Sequence, residues 1–252
     1  MDIKCLMSRA LLSLIRLEKR QNMNLSKIDS SISSINKLVL ECDELKDAIN
    51  IYHWGSRVYG CSTAQSDWDF ICVMPDDWIK KNNADQCFTV MNDMEFTFNF
   101  ESVTSWQEKI DSDAIETLEC SFLPSKFVVK ESKKFPITID YDKVRHTISR
   151  ISSIAWVKGL KKLSVPKDYN QYVGRKSIWH SLRLFMFGIQ IMKYDKIVDY
   201  TEGNIYYDDI IHHVFSADIK ETEGFKTLYQ ETYNRLHSEF KLAHLEALER
   251  SK

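Results

Sequence analysis

The chain has 252 residues, 44% of them hydrophobic, which is enough to bury a substantial core. Its 34 Lys and Arg residues nearly balance its 36 Asp and Glu residues, so the overall charge indicates neither a nucleic-acid nor a membrane partner. Its six cysteines show no Cys-x-x-Cys spacing, which argues against a disulfide scaffold or a zinc site and favours reduced thiols and a cytoplasmic location.

The first 45 residues carry two helical patterns. In residues 1–21 arginines interrupt the short apolar runs, which predicts an amphipathic helix rather than a signal peptide. A second pattern covers residues 26–45. No later stretch approaches membrane-spanning length, so we expect no membrane partner.

Strand patterns follow. "AINIYHW" is β-branched and aromatic, "WDFICVM" predicts a buried strand that Pro75 ends, and "CFTVMNDMEFTFNF" predicts two strands joined at Asn92 and Asp93. From residue 137 onward the pattern is helical, at 141–163, 172–193 and 219–250. The sequence therefore predicts an α+β protein: a domain over residues 1–135 with a small mixed sheet and N-terminal helices, then a mainly helical domain over 136–252.

Two carboxylates share one side of the "WDFICVM" strand. Side chains two apart on a strand point the same way, so Asp67 and Asp69 lie on one face while Trp68 and Phe70 lie on the other. Like charges this close repel unless a cation lies between them, and hard divalent ions such as Mg²⁺ use such pairs. By the same alternation, Glu95 on a later strand supplies a third acid.

A Gly-Ser pair stands directly after the "INIYHW" strand. A turn of this kind, here Gly55 and Ser56, presents backbone N–H groups to a phosphate. Together with the acids it indicates phosphoryl chemistry on a nucleotide.

The order of these parts is more specific than any one of them. The motif spacing of this chain resembles that of the DNA polymerase β-like nucleotidyltransferase superfamily: an apolar residue, Gly-Ser, ten residues and then Asp-x-Asp. Within it, "GSRVYGCSTAQSDWDF", "VMPDDW", "DMEFTF" and "RKSIWHSLR" resemble the predicted nucleotidyltransferases of bacteria and phages. The resemblance implies a polymerase β-like catalytic domain followed by a helical domain.

It also implies that Asp67, Asp69 and Glu95 are the catalytic acids and the ligands of two Mg²⁺ ions, with Mn²⁺ as an alternative. The family usually has Asp-x-Asp where this chain has Asp93-Met94-Glu95, so Asp93 remains the alternative third acid.

Further residues are candidates for nucleotide binding. Arg57 directly follows the Gly-Ser pair and Ser66 directly precedes Asp67. For Arg57 the alternative is a local salt bridge. In the helix predicted at 172–193, Lys176, His180 and Arg183 share one face, and the opposite face is apolar. The resemblance implies that these three residues hold the β- and γ-phosphates of a nucleotide. The alternative is a helix face that is exposed to solvent and binds no ligand.

The predicted function is transfer of a nucleoside monophosphate from an NTP such as ATP to an acceptor hydroxyl, with release of pyrophosphate. An RNA 3′ end is favoured weakly over a protein or a small molecule as acceptor. A basic cluster in the helical half is either an RNA contact or a face exposed to solvent. It consists of Lys158, Lys161, Lys162 and Lys167. The alternative function is a non-catalytic nucleotide- or RNA-binding module on the same fold. The sequence leaves the choice of NTP and the oligomeric state open.

Overall fold

The structure is a computed structural model that describes residues 31–91, 94–212 and 219–252. The helix predicted at 1–21 and the start of the second predicted helix lie outside these residues. The chain divides into two compact units, each assembled from separate segments. The first comprises the described residues up to Arg57 with Thr63–Val103 and Pro124–Lys133; the second comprises Val58–Ser62, Thr104–Leu123 and Lys134–Lys252.

A five-stranded mixed sheet forms the first unit. Its strands are β1 (Asn50–Trp54), β2 (Trp68–Met74), β3 (Gln86–Met91), β4 (Met94–Ser102) and β5 (Val128–Glu131). Their order across the sheet is β3-β4-β2-β1-β5. Strands β2 and β4 run parallel and the other neighbours run antiparallel. The predicted strands are confirmed, and so is the α+β class.

Among the described residues of this unit, helices α1 (Ile32–Leu40) and α2 (Asp76–Asn82) accompany the sheet. The Ser31 hydroxyl caps α1 by accepting from the Ser34 N–H, which satisfies one free donor of its first turn. Ile35 and Val39 of α1 are fully buried and belong to one apolar cluster with the aromatic side chains of β2 and β4. The alternation of these strands therefore commits one face of the sheet to this core. The other face is polar at Asp67 and Asp69, whereas Ile71 and Val73 further along β2 on that side are buried and apolar.

The second unit is helical. Its helices are α3 (Val103–Asp111), α4 (Ile115–Ser121), α5 (Tyr141–Ser164), α6 (Gln171–Tyr194), α7 (Tyr207–His212) and α8 (Ile219–Arg250). The first residue of α3, Val103, still belongs to the first unit. The three helices predicted for this part of the chain are confirmed as α5, α6 and α8. Helices α5 and α6 are joined by a buried hydrogen bond in which the Ser152 hydroxyl donates to the Ser181 carbonyl at 2.9 Å.

The described residues bear on the expected state of the cysteines and on the expected absence of membrane-spanning helices. The five cysteines within them are free thiols, and Cys61, Cys72 and Cys120 are buried. In the same ranges, none of the helices combines the length and the apolar character that crossing a bilayer requires.

Candidate active site on the sheet

Asp67 and Asp69 lie at the start of β2, on the polar face of the sheet. Trp68 and Phe70, which alternate with them, are buried in the apolar cluster on the other face. In the parallel pairing of β2 with β4, Asp69 lies opposite Thr97. The Thr97 hydroxyl donates to Asp67 Oδ2 at 3.3 Å, so Thr97 contacts the acids from the neighbouring strand. Both carboxylates are half-buried, which leaves oxygen atoms accessible at the surface.

The Gly-Ser turn packs directly against the second acid. Gly55 has a φ of +79°, in the left-handed region that glycine adopts without strain. A Cβ atom at this position would lie 2.3 Å from Asp69 Oδ2, far inside van der Waals contact. Glycine is therefore required both for the backbone conformation and for the approach of the carboxylate. The turn and the acid are parts of one site.

Arg57 closes the short 3₁₀ turn Gly55–Arg57 and braces it against β2. Its Nε donates to the Asp67 carbonyl at 3.1 Å, and its terminal nitrogen donates to the Ser66 carbonyl. Its guanidinium also stacks on the Trp68 ring, 3.9 Å from the ring centroid. Partial burial lowers the pKa of Arg57, an effect that Asp67 and Asp69 oppose. These contacts give Arg57 a local role, and its predicted contact with a triphosphate stays a prediction.

Ser66 closes a turn of its own immediately before the acids. Its hydroxyl accepts from the Thr63 N–H at 2.9 Å, and its N–H donates to the Thr63 carbonyl at 3.1 Å. This reciprocal pair orders the end of the loop that leads into Asp67. The Arg57 side chain joins this turn to the Gly55–Arg57 turn through the Ser66 and Asp67 carbonyls. A nucleotide contact by Ser66 stays a prediction.

The third acid is less defined than the first two. Glu95 is exposed and precedes Thr97 by two residues on β4, so it shares the polar face. Its alternative, Asp93, lies outside the described residues. Across 31–91, 94–212 and 219–252, no three His, Cys, Asp or Glu side chains come close enough together to hold a metal ion. The hard oxygen atoms of Asp67 and Asp69 suit Mg²⁺ chemically, and a third ligand for the ion stays a prediction.

A histidine behind the acids was not singled out by its sequence. His53 of β1 is fully buried, and its Nε2 donates to Asn36 Oδ1 at 2.6 Å. Burial, with a smaller contribution from Arg57, lowers the pKa of His53 to about 4. The ring contacts Trp68 and Phe70, with centroids 5.7 and 4.6 Å away, so it is a neutral part of the core beneath the site near pH 7.

The expected cationic face of α6 is corrected by the structure. The prediction placed Lys176, His180 and Arg183 on an open face, but α6 is buried almost all around, and the Arg183 side chain is only 3% exposed. His180 accepts a hydrogen bond from Arg183 through Nδ1 at 3.0 Å. Burial, and then the neighbouring cations led by Arg183, lower the pKa of His180 to about 3. His180 is therefore neutral near pH 7 and adds no positive charge to the stripe.

Arg183 instead belongs to an enclosed group in the second unit, which we call the Arg183 cluster: Tyr59, Glu119, His180, Arg183 and Tyr200. Its guanidinium lies 3.6 Å from Glu119 Oε1 and stacks on Tyr59, 3.4 Å from the ring centroid. The Tyr59 hydroxyl donates to Glu119 Oε2 at 2.6 Å, and the Tyr200 hydroxyl donates to the Glu119 carbonyl at 2.5 Å. Burial raises the pKa of Tyr59 well above its ordinary value.

Lys176 and the lysine cluster predicted at residues 158–167 lie nearer the surface than Arg183. Lys176 is partly exposed, and its ammonium lies 5.3 Å from the centroid of the Tyr172 ring. Lys161 pairs with Asp168 at 2.9 Å, while Lys158 and Lys167 are exposed. A nucleotide contact by Lys176 and an RNA contact by the lysine cluster both stay predictions.

Comparison with solved structures gives a remote likeness to a nucleotidyltransferase-like protein from Exiguobacterium sibiricum. The two are 10% identical in sequence with a TM-score of 0.30, over 86% of this chain and 78% of that chain. No protein-family model and no curated protein matches this sequence. At that TM-score the likeness carries no inference about the site of this chain.

Proposed function

We propose that this protein is a metal-dependent nucleotidyltransferase, which transfers a nucleoside monophosphate from an NTP to an acceptor hydroxyl and releases pyrophosphate. One observation carries the proposal: Gly55 abuts Asp69 so closely that a Cβ would lie 2.3 Å from its carboxylate. This contact supports the proposal because it brings the turn that we propose binds phosphate against one of the acids that we propose bind the metal. Separate surface features would not require that contact.

The turn suits the triphosphate. Gly55–Arg57 forms a short 3₁₀ turn, and backbone N–H groups in such turns are ready donors for phosphate oxygens. Arg57 anchors the end of the turn to the backbone at Ser66 and Asp67, so the donors are held in place before a ligand binds. A turn that is held in place before binding lowers the ordering cost of binding an anion.

Asp67 and Asp69 would hold the metal, with Glu95 or Asp93 as the further acid. A bound Mg²⁺ would neutralise phosphate charge and make the acceptor hydroxyl easier to deprotonate. Thr97, which donates to Asp67, would orient that carboxylate in the way that partners of metal ligands commonly do.

The proposed reaction is a single in-line displacement. The acceptor oxygen forms a bond to the α-phosphorus while the bond from that phosphorus to the bridging oxygen of pyrophosphate breaks. Pyrophosphate leaves with the bonding electron pair, and the hydroxyl proton passes to a carboxylate of the site or to water. The Gly-Ser turn would retain the pyrophosphate portion during the displacement.

The test is a transfer assay with each of the four NTPs labelled at the α-phosphorus, in the presence of Mg²⁺, with total RNA and with protein as acceptors. We expect label to move to one acceptor class and an equal amount of pyrophosphate to appear. Asp69→Asn should abolish both. Asp77→Asn, which neutralises an exposed acid of α2 in the same unit, is the matched control and should transfer normally.

The competing function is a nucleotide-binding module without catalysis. It predicts that wild-type protein binds an NTP but that no label moves with any acceptor and no pyrophosphate appears. Transfer that survives in Asp69→Asn would contradict the site as proposed, since another group would then carry the chemistry.

A further inference from the structure

Positive charge is concentrated in α5, α6 and the segment that joins them. From residue 143 to residue 194 the chain has eleven Lys and Arg residues and one acidic residue, Asp168, whereas the whole chain has 34 basic and 36 acidic residues. Lys161 pairs with that one acid at 2.9 Å. This part of the second unit therefore carries an excess of positive charge, which favours a polyanion as its partner.

Cations from both helices adjoin where the helices cross. The backbones of α5 and α6 approach closely at Gly159 and Gly174, since a Cβ on Gly159 would lie 2.9 Å from the Gly174 carbonyl oxygen. Lys158 precedes Gly159 and is exposed, and Lys176 follows Gly174 by two residues. Both lysines help to lower the pKa of His180, as expected of cations on adjoining parts of the two helices. The positive charge of α5 thus continues onto α6.

Two exposed tyrosines lie beside these cations. Tyr169, in the connection between α5 and α6, is 43% exposed, and Tyr172, in the first turn of α6, is 60% exposed. The Lys176 ammonium lies 5.3 Å from the centroid of the Tyr172 ring. The Asn170 N–H donates to the Lys162 carbonyl at 2.8 Å, so the connection folds back onto the last turn of α5. Aromatic rings and cations therefore share one short stretch of surface.

We call this stretch the tyrosine–lysine surface, and it consists of Lys158, Lys162, Lys167, Tyr169 and Tyr172. Such a combination is typical of proteins that bind single-stranded nucleic acid, because bases stack on aromatic rings while cations follow the phosphate backbone. An anionic membrane matches it less well. A membrane-binding helix inserts its apolar face into the bilayer, whereas the apolar face of α5 is buried within the helical unit.

We propose that the tyrosine–lysine surface binds a single-stranded nucleic acid, with bases stacked on Tyr169 and Tyr172 and backbone phosphates paired with its lysines. The inference deepens the proposed function and rests on it only for the role of the strand, which would be the acceptor of the transferred nucleotide. Binding itself requires neither an NTP nor the acids of the sheet. RNA and DNA share this backbone and these stacking faces, so the experiment includes both.

Binding is measured by the fluorescence anisotropy of a labelled oligonucleotide of about 15 nucleotides, as RNA and as single-stranded DNA, titrated with full-length protein without NTP. We expect wild-type protein to bind at least one of the two, and Tyr172→Ala to weaken binding about tenfold because base stacking is lost. Tyr172→Trp should restore it. Tyr194→Ala is the matched control, since Tyr194 is a 55% exposed tyrosine at the other end of α6, about 33 Å away, and this variant should bind as wild type.

The salt dependence of binding tests the lysines separately. Lys158→Gln with Lys167→Gln removes two exposed cations. The slope of the logarithm of the binding constant against the logarithm of the salt concentration should become shallower by about 1.4, because each phosphate contact of a single strand contributes about 0.7. Lys193→Gln with Lys196→Gln removes the same charge from two exposed positions at the far end of α6 and should leave the slope unchanged.

The other results overturn the inference in recognisable ways. No binding by wild type, equal binding by Tyr172→Ala, or an unchanged slope in the Lys158 and Lys167 double variant excludes this surface as the site. If wild type binds phosphatidylserine vesicles and neither oligonucleotide, the partner is an anionic membrane. If Tyr172→Ala weakens binding of an NTP alone, the ring serves the donor base. A failure of the proposed function is distinct, because it shows as absent nucleotide transfer to a strand that still binds.

Discussion

The acidic face of the sheet and the Arg183 cluster both concentrate charged side chains, but they enclose them differently. Arg183 and Glu119 are each 3% exposed and are covered by the tyrosines and the histidine of their cluster. Asp67 and Asp69 are half-buried beside a turn that brings its backbone against them. The difference separates charges that complete a folded unit from charges that remain accessible to a ligand.

The two arrangements have different energetic consequences. A buried ion pair gives little net stability when intact, yet removal of one partner is costly because the other charge is left desolvated. Two half-exposed acids of the same sign repel each other, so neutralising one of them should not lower the free energy of unfolding. Substitutions in the two regions should therefore affect different measurements.

The largest effect is expected at the acids. Asp67→Asn or Asp69→Asn should lower the rate of nucleotide transfer on the order of a thousandfold or more, at least about 4 kcal/mol of barrier, because each removes a charge that we propose holds the metal. The free energy of unfolding should stay the same or rise, because the repulsion between the two carboxylates is relieved. Steady-state kinetics and urea unfolding test the two halves of this prediction. Loss of transfer through unfolding alone would contradict it.

The Arg183 cluster should show the reverse response. Arg183→Leu should lower the free energy of unfolding by about 3 kcal/mol or more, because the buried Glu119 carboxylate loses the positive charge beside it. The double variant with Glu119→Gln should recover part of that loss, which a double-mutant cycle measures. Lys176→Ala, in the exposed part of the predicted stripe, is the matched control for stability. If Arg183→Leu folds normally and only NTP affinity falls, Arg183 binds phosphate as the sequence predicted.

The sequence predicted the acidic face better than it predicted the Arg183 cluster, and the reason is physical. The strand and turn signals at Gly55, Asp67 and Asp69 are local, because strand alternation alone decides which face a side chain takes. Arg183 was assigned by helical periodicity, which describes a helix packed on one side only. Helix α6 is enclosed by segments far away in the chain, including those that carry Tyr59 and Glu119.

Glu119 gave little sequence signal. It stands between Leu118 and Cys120 in a helix whose residues are almost all buried, so a charge in an apolar run was the available hint. Its partner, Arg183, is 64 positions further along, and a single sequence does not reveal a pairing of that separation. The third ligand raises a different problem, since the hairpin register fixes the face of Glu95 but not its distance from Asp67 and Asp69.

Acid pH should act on the buried histidine of the sheet. The pKa of His53 is lowered to about 4 from its ordinary value of 6.5, so the unfolded chain binds the proton more readily than the folded chain. His53 therefore costs no stability above pH 6.5, and stability falls as the pH decreases from there to about 4, by about 3 kcal/mol in total. His53→Gln should remove this part of the pH dependence in urea unfolding, while exposed His212→Gln should not. If the free energy of unfolding of His53→Gln still falls between pH 6.5 and 4, another group causes this pH dependence, and His180 is the next histidine to test.

The smallest effect concerns the contact that joins the turn to the acid. Gly55→Ala should lower the free energy of unfolding by about 1 to 2 kcal/mol, because alanine is strained at a φ of +79° and its Cβ displaces Asp69. Gly224→Ala in α8 is the control, since a Cβ there meets no atom within 4 Å and helix propensity should raise stability by about 0.5 to 1 kcal/mol. Thermal unfolding of both variants checks this. An unchanged Gly55→Ala protein would show that the turn and Asp69 are not in tight contact.

The most direct test of the central claim is a Mn²⁺ titration followed by amide NMR on isotope-labelled full-length protein. Paramagnetic broadening reports which residues lie near the ion without requiring an active substrate. We predict that the amide signals of Gly55, Ser56, Asp69 and Thr97 broaden first, that the Trp179 indole beside the Arg183 cluster does not, and that Asp67→Asn with Asp69→Asn abolishes the effect. Broadening centred on the second unit, or unchanged broadening in the double variant, would contradict the account.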